Sequence, residues 1–296
     1  MSKLPIVCPG HIRPVVGLRF CETSDGLNLL VTSSHDKTAQ VRWGQDGAWI
    51  GSFVGHQGAV WSTALDRQGL RAVTGSADFS CKLWDASSGQ ELASFPHQHV
   101  VKAVDFSPDS KSFLSAGFEK KAMVFDLETQ NQMSAFAHPG QVSKAIWVSS
   151  TELITGGQDG YIRKWDVRAQ REVESCLVGS GSGKSPRGIT DLDFSQGLVA
   201  CCGKQVFVFD GAQGGISKPT QTVTCKFDLE SASRNGSNLL CGGMDIHVVS
   251  LLTLEETAVF RGHHGPVFTC RFDPTTNGES FASGSGDGTI RIWKMV

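Results

Sequence analysis

Three groupings in this sequence hold the residue types of a hydrolytic triad. They are His56, Thr74 and Asp78; His138, Thr155 and Asp159; and His263, Ser283 and Asp287. A hydroxyl activated by an imidazole that a carboxylate orients performs acyl transfer on several unrelated folds. The spacing argues for a different use. Each grouping is followed, six residues after its Asp, by a Trp: Trp84, Trp165 and Trp293. An indole N–H is a donor only, so a hydroxyl between ring and indole can link the two. A nucleophile occurs once, in a cleft, whereas a device for pairing buried polar groups recurs. The repetition predicts a structural relay of His, Ser/Thr, Asp and Trp at each of the three places.

The remaining chemistry-bearing patterns are weaker. The stretch Gly179–Ser185 (GSGSGKS) is like a phosphate-cradling loop, but the required spacing puts a Gly at position 178, where Val178 stands. Pro186 follows, and GITDLDF reads as a strand, so no helix N-terminus is available for an anion. A flexible linker is the expectation, with Lys184 and Arg187 able to touch an acidic partner. His97 and His99 lie one residue apart with no third ligand at metal spacing. His97 instead fits a relay position, and so does the first residue of the pair His263-His264. Nine cysteines at irregular spacing, with Cys201 and Cys202 adjacent rather than in C-x-x-C, predict reduced, mostly buried thiols. The expectation is a protein without catalytic residues, metal site or cofactor, and not an enzyme. A net charge of −2 argues against a surface that tracks nucleic-acid phosphates. The first residues lack the long apolar core of a secretory signal, and no run approaches membrane-spanning length.

The elements that carry these residues follow from a period. A turn residue, then a large or strand-ending residue six positions later, recurs to end at Arg42, Trp84, Phe125, Trp165, Phe209, Leu251 and Trp293. The steps are 42, 41, 40, 44, 42 and 42 residues. Four short strands per unit at that period predict an all-β, seven-bladed propeller using residues 1–296 as one domain. The second unit shows the pattern whole. GHQGAVWSTALD, RAVTGSAD, SCKLWD and GQELASF alternate apolar and polar residues between Gly, Ser and Asp turns. The departures matter too. Blade one has Arg42 in the Trp place with Trp43 beside it, and blade three has Glu119 and Phe125. Blade five has Gly203 and Val199 for the Asp and hydroxyl, and blade six has Cys241 and Leu251. Blades five and six are expected to rely on apolar packing and to be the least rigid. The last unit lacks an outer strand, which Leu4–Cys8 is placed to supply, closing the ring and removing an open sheet edge.

The GH…WD punctuation resembles the WD40 repeat family over essentially the whole chain. On the blade template, the residues expected to point out from the top face are Arg13, His35, Trp61, Lys102, Phe118, Gln158, Met244 and Phe268. Trp61, Phe118 and Phe268 are the aromatic type that dominates protein interfaces. Phe268, Arg13 and Trp61 belong to consecutive blades and are expected to form one patch. Trp49, on an outer strand, marks a possible lateral contact, and Trp147 reads as core. Several stretches, among them HIRPVVGLRF, AWIGSFVGHQGAVWSTALD, SADFSCKLWDASSGQELASF and GHHGPVFTCRFDP, are similar to the serine/threonine kinase receptor-associated, or unrip, family. That resemblance implies a cytoplasmic and nuclear adaptor. It implies partners in the SMN complex, such as Gemin and Sm proteins, or in receptor signalling, with RNA met only through such complexes. It implies neither a small-molecule substrate nor a membrane. Animal members carry an acidic extension after the last blade that this sequence lacks. The alternative is the related WD40 subunit of the translation initiation complex.

Overall fold

The computed structural model describes residues 4–179, 188–210 and 215–295. Within them, twenty-eight strands form seven four-stranded antiparallel sheets. Six sheets take their strands in sequence order, innermost to outermost. The chain is a seven-bladed β-propeller.

Blade two shows why the sequence folds this way. Its strands are Val60–Leu65 at the channel, then Arg71–Ser76, Ser80–Asp85 and Glu91–Pro96 at the rim. Neighbouring blades cover both faces of the second strand, and there every residue after Arg71 is buried. On the rim strand only Phe95 is buried. The core therefore lies between blades. Ala64, Val73 and Leu83 of blade two pack with Val104, Phe113 and Phe125 of blade three, and the Phe113 and Phe125 rings stack at 5.1 Å. No blade can bury these faces alone, which is why such units come in rings.

The seventh sheet departs from sequence order. Ile6–Cys8 pairs antiparallel with the strand Ile290–Lys294, setting Ile6 opposite Ile292 and Cys8 opposite Ile290. The first described strand thus completes the last blade. Arg42 helps to hold it. One guanidinium nitrogen donates to the Pro9 carbonyl and the Gln40 amide oxygen, the other to the Gly47 carbonyl at 2.9 Å. The break in the Trp pattern at position 42 is thus tied to closure of the ring. Gly47 is required where it stands. Its φ is +71°, and a Cβ there would fall 2.1 Å from the Cys8 sulfur.

A polar belt lines the lower channel. Arg19 of blade one pairs with Asp105 of blade three, whose other oxygen accepts from the Trp147 backbone N–H of blade four at 2.9 Å. Arg271 of blade seven grips Asp191 of blade five through two nitrogens at 2.7 and 2.8 Å. Ser231 of blade six donates to the same carboxylate at 2.6 Å, and Lys144 of blade four stands 3.3 Å from it. Each Arg–Asp pair reaches past one intervening blade.

Candidate docking face and the relays beneath it

The turn between the second and third strands of each blade brings its Asp beneath the loop that carries the His. In blade two, His56 Nδ1 lies 2.7 Å from Asp78, and Nε2 lies 2.7 Å from the Thr74 hydroxyl. The Trp84 indole donates to that hydroxyl at 2.8 Å. Blade seven repeats the set, with His263 at 3.1 Å from Asp287 and 2.8 Å from Ser283, which accepts from Trp293 at 2.8 Å. Burial holds both imidazoles below their usual range despite the carboxylate beside each. Burial alone would raise Asp78, but the Ser80 hydroxyl, the Gln57 N–H and His56 bring it down to about 2. These rings are covered, and each hydroxyl is engaged on two sides. The geometry is that of a brace between strands.

Blade four corrects the sequence reading. Trp165 donates to Thr155 at 2.9 Å, but Asp159 is taken by Arg163 at 2.6 Å. Neither ring nitrogen of the buried His138 has a partner among the described residues. The cause lies two residues past the Asp. Blades one, two and seven place Thr38, Ser80 and Thr289 there, and each hydroxyl pins its Asp. Blade four has Tyr161, which leaves the carboxylate to the longer cation. Burial and the Arg163 charge then push His138 down to about 4.

One relay escaped the sequence reading. His11 in blade one lies 2.7 Å from Asp36 and 3.0 Å from Thr32. The signal was present, since Thr32 precedes Asp36 by the same four residues as Thr74 precedes Asp78. A longer first strand, Val15–Glu22, hid the His spacing. In blade three, His97 bonds Ser115 at 2.7 Å and the Phe95 carbonyl at 3.0 Å, while Glu119 stops 3.7 Å away.

Above the relays, the channel opens into a mouth of about 510 Å³. Of the eight residues expected on the top face, His35, Trp61, Lys102, Phe118, Gln158 and Phe268 line it. Arg13 and Met244 do not. Arg13 is exposed, and its charge lies near enough to His35 to oppose that ring's protonation. Met244 is 68 % exposed on blade six. The patch of Phe268, Arg13 and Trp61 is therefore met in part, as two rings at the mouth with the cation outside it. Lys102 Nζ sits 3.0 Å over the Trp61 ring and 5.7 Å from that of Phe118. Burial, with Lys144 nearby, lowers its amine to about 7. The sequence reading did not single out Lys144 and Glu230, which also line the mouth. Trp147 is buried and Trp49 is 60 % exposed on its rim strand. Apart from Gly179, the stretch GSGSGKS with Lys184 and Arg187 lies outside the described residues. All nine cysteines are free. Among the described residues, no cluster of three or more His, Cys, Asp or Glu could hold a metal, and no helix is long and apolar enough to cross a membrane.

The profile of the WD domain, G-beta repeat, matches residues 46–85, 89–126 and 254–294. Those spans include the first three strands of blades two, three and seven. A serine-threonine kinase receptor-associated protein from Dictyostelium discoideum is 39 % identical over 99 % of both chains. This chain belongs to the serine-threonine kinase receptor-associated protein family. The human member is 34 % identical over the whole of this chain and 84 % of its own. Eukaryotic translation initiation factor 3 subunit I from Drosophila sechellia is 26 % identical, over 97 % of this chain and 95 % of its own. For a member of the receptor-associated family, a WD40 ring supports a scaffold or adaptor role exercised through contacts with other proteins.

Proposed function

We propose that the chain is a non-enzymatic adaptor that docks a partner protein across the channel mouth. The observation that carries this reading is the convergence of Trp61, Phe118 and Phe268 on one opening around Lys102. Large rings kept out of the inter-blade core and gathered on one face are the residue type and the setting of interface hot spots. The recurring relays support the non-enzymatic part, since the Ser/Thr–His–Asp geometry is used up in bracing strands.

The partners proposed are those the family resemblance implies. The first is the SMN complex that loads Sm proteins onto small nuclear RNAs, in cytoplasm and nucleus. A receptor-kinase signalling assembly is the second. The test is affinity purification of wild type beside Trp61→Ala with Phe268→Ala, each checked for an unchanged melting curve. Loss of Gemin and Sm proteins by the double variant supports the reading, and full retention ends it. The 26 % relative keeps one alternative open, and recovery of initiation-factor subunits in place of Gemin proteins would move the chain to that assembly.

A further inference from the structure

Five rings and one amine run in unbroken contact from the rim of blade two to the channel mouth. Phe79 lies 5.4 Å from His99, and His99 lies 5.5 Å from Phe118. The Lys102 ammonium spans Phe118 and Trp61, and Trp61 meets His35 edge-on at 4.5 Å. The outermost ring is held under strain. Phe79 has φ of +67° and is 45 % exposed. The corresponding turns use Lys37, Lys120, Gly160 and Gly288. A bulky aromatic in the left-handed region is strained, and this one covers no core in return.

Charge identifies what the lane would accept. Arg13, Lys37, Lys102 and Lys120 surround it, and none forms an ion pair with a carboxylate among the described residues. The acids on this arc are already engaged or covered. Asp36 and Asp78 accept from His11 and His56, and the Glu119 side chain is 7 % exposed. Glu230, ahead of blade six, lines the same mouth and draws Lys102 from across it without forming an ion pair. The Lys102 amine touches only π-faces, with Glu230 at longer range, so its charge is incompletely met.

Resting on the docking-face reading above, we propose that the arc over blades one to three seats an acidic, apolar-studded peptide segment of a partner protein. One carboxylate of that segment accepts from the Lys102 ammonium while its apolar side chains lie along Phe79, His99 and Phe118. Binding is then coupled to proton uptake. The free amine sits at about 7, and a carboxylate beside it favours the charged form. Affinity is therefore greatest below that value and falls as pH rises through it. The charged and titratable groups facing Lys102 are Lys144 of blade four, Glu230 of blade six and His35 of blade one.

The test begins with a displayed random-peptide library selected against the folded full chain at slightly acid pH. The expected selectants are rich in Asp and Glu interspersed with Leu and Phe. A labelled peptide of the selected sequence should lose about tenfold in affinity with Lys102→Gln, the loss of one desolvated charge pair. Its amide-for-acid counterpart should lose as much on the wild type and nothing further on the variant. Lys102→Arg should keep binding but flatten the pH dependence, because the guanidinium does not titrate. Phe79→Gly, which suits the backbone, should weaken binding without loss of fold. Selectants that are neutral or basic, or that bind Lys102→Gln unchanged, would overturn the proposal. Displacement of the peptide by a labelled single-stranded oligonucleotide of equal or greater affinity would overturn it in favour of nucleic acid. In either case, loss of partners by Trp61→Ala with Phe268→Ala would leave the docking-face reading standing.

Discussion

The relays of blades two and four should respond oppositely to the loss of one member. Thr74→Val takes from His56 its hydroxyl donor and from the Trp84 indole its acceptor, and about 2–3 kcal/mol of stability should go with it. His138→Leu removes a ring that bonds nothing among the described residues, so its melting curve at neutral pH should be unchanged or higher. The pH dependence has a definite sign. His138 is lowered to about 4 in the fold against roughly 6.5 unfolded. Its contribution is complete above that unfolded value and is lost as pH falls toward 4. Wild type should therefore weaken between those limits more than His138→Leu, as thermal melts in a buffer series would show. Asp78 adds a second loss in stronger acid, complete above roughly 4 and gone as pH falls through about 2. The residue pattern revealed the brace at Asp78 and Asp287, where a hydroxyl follows the Asp by two, and missed the one at Asp36, where the longer first strand hid the His11 spacing. It failed at Asp159 because the competing reach of Arg163 depends on side-chain geometry, which spacing does not carry.

Closure rests on the three-residue strand Ile6–Cys8. Deleting residues 1–9 exposes the edge of Ile290–Lys294 and strands the Arg42 guanidinium beside an empty carbonyl position. The melting temperature should drop by several degrees or more, with association that grows with concentration. An unchanged melt would contradict the role assigned to that strand. Blades five and six test the expectation of lower rigidity. Gly203 and Val199 stand where others carry an acid and a hydroxyl, and packing among Cys201, Val208, Leu229, Leu239 and Cys241 takes over. Amides of their second strands, Leu198–Cys202 and Asn238–Gly242, should exchange faster than those of Arg71–Ser76 and Ser280–Ser285. Strand order and the closing pair were legible because alternation and turn residues are local signals. The tie between Arg42 and Pro9 was not, since Arg42 read only as a missing Trp.

The ring as a whole is held by contacts the period says nothing about. Asp191 meets Arg271 and Lys144 from blades seven and four, and their charges bring its carboxyl down to about 2 against the effect of burial. Asp191→Asn leaves two cations facing a neutral amide at the channel wall, and about 3 kcal/mol should be lost. The exposed Asp25→Asn should change nothing measurable, and the two melts side by side decide the matter. Seven sheets could be counted from residue types alone. Which channel-facing side chains pair across a skipped blade depends on the diameter and tilt of the closed ring. For the same reason the mouth was only partly foreseen. Trp61 and Phe268 announced themselves by size, whereas Lys144 and Glu230 meet Lys102 only once the ring has formed. The union of Ile6–Cys8 with Ile290–Lys294 also sets an order of events during synthesis. The ribosome makes one half of this clasp almost three hundred residues before the other. Until then the growing arc carries a bare β-edge and an unmatched β-segment, a window in which chaperones, or a second nascent chain, compete for the same hydrogen bonds.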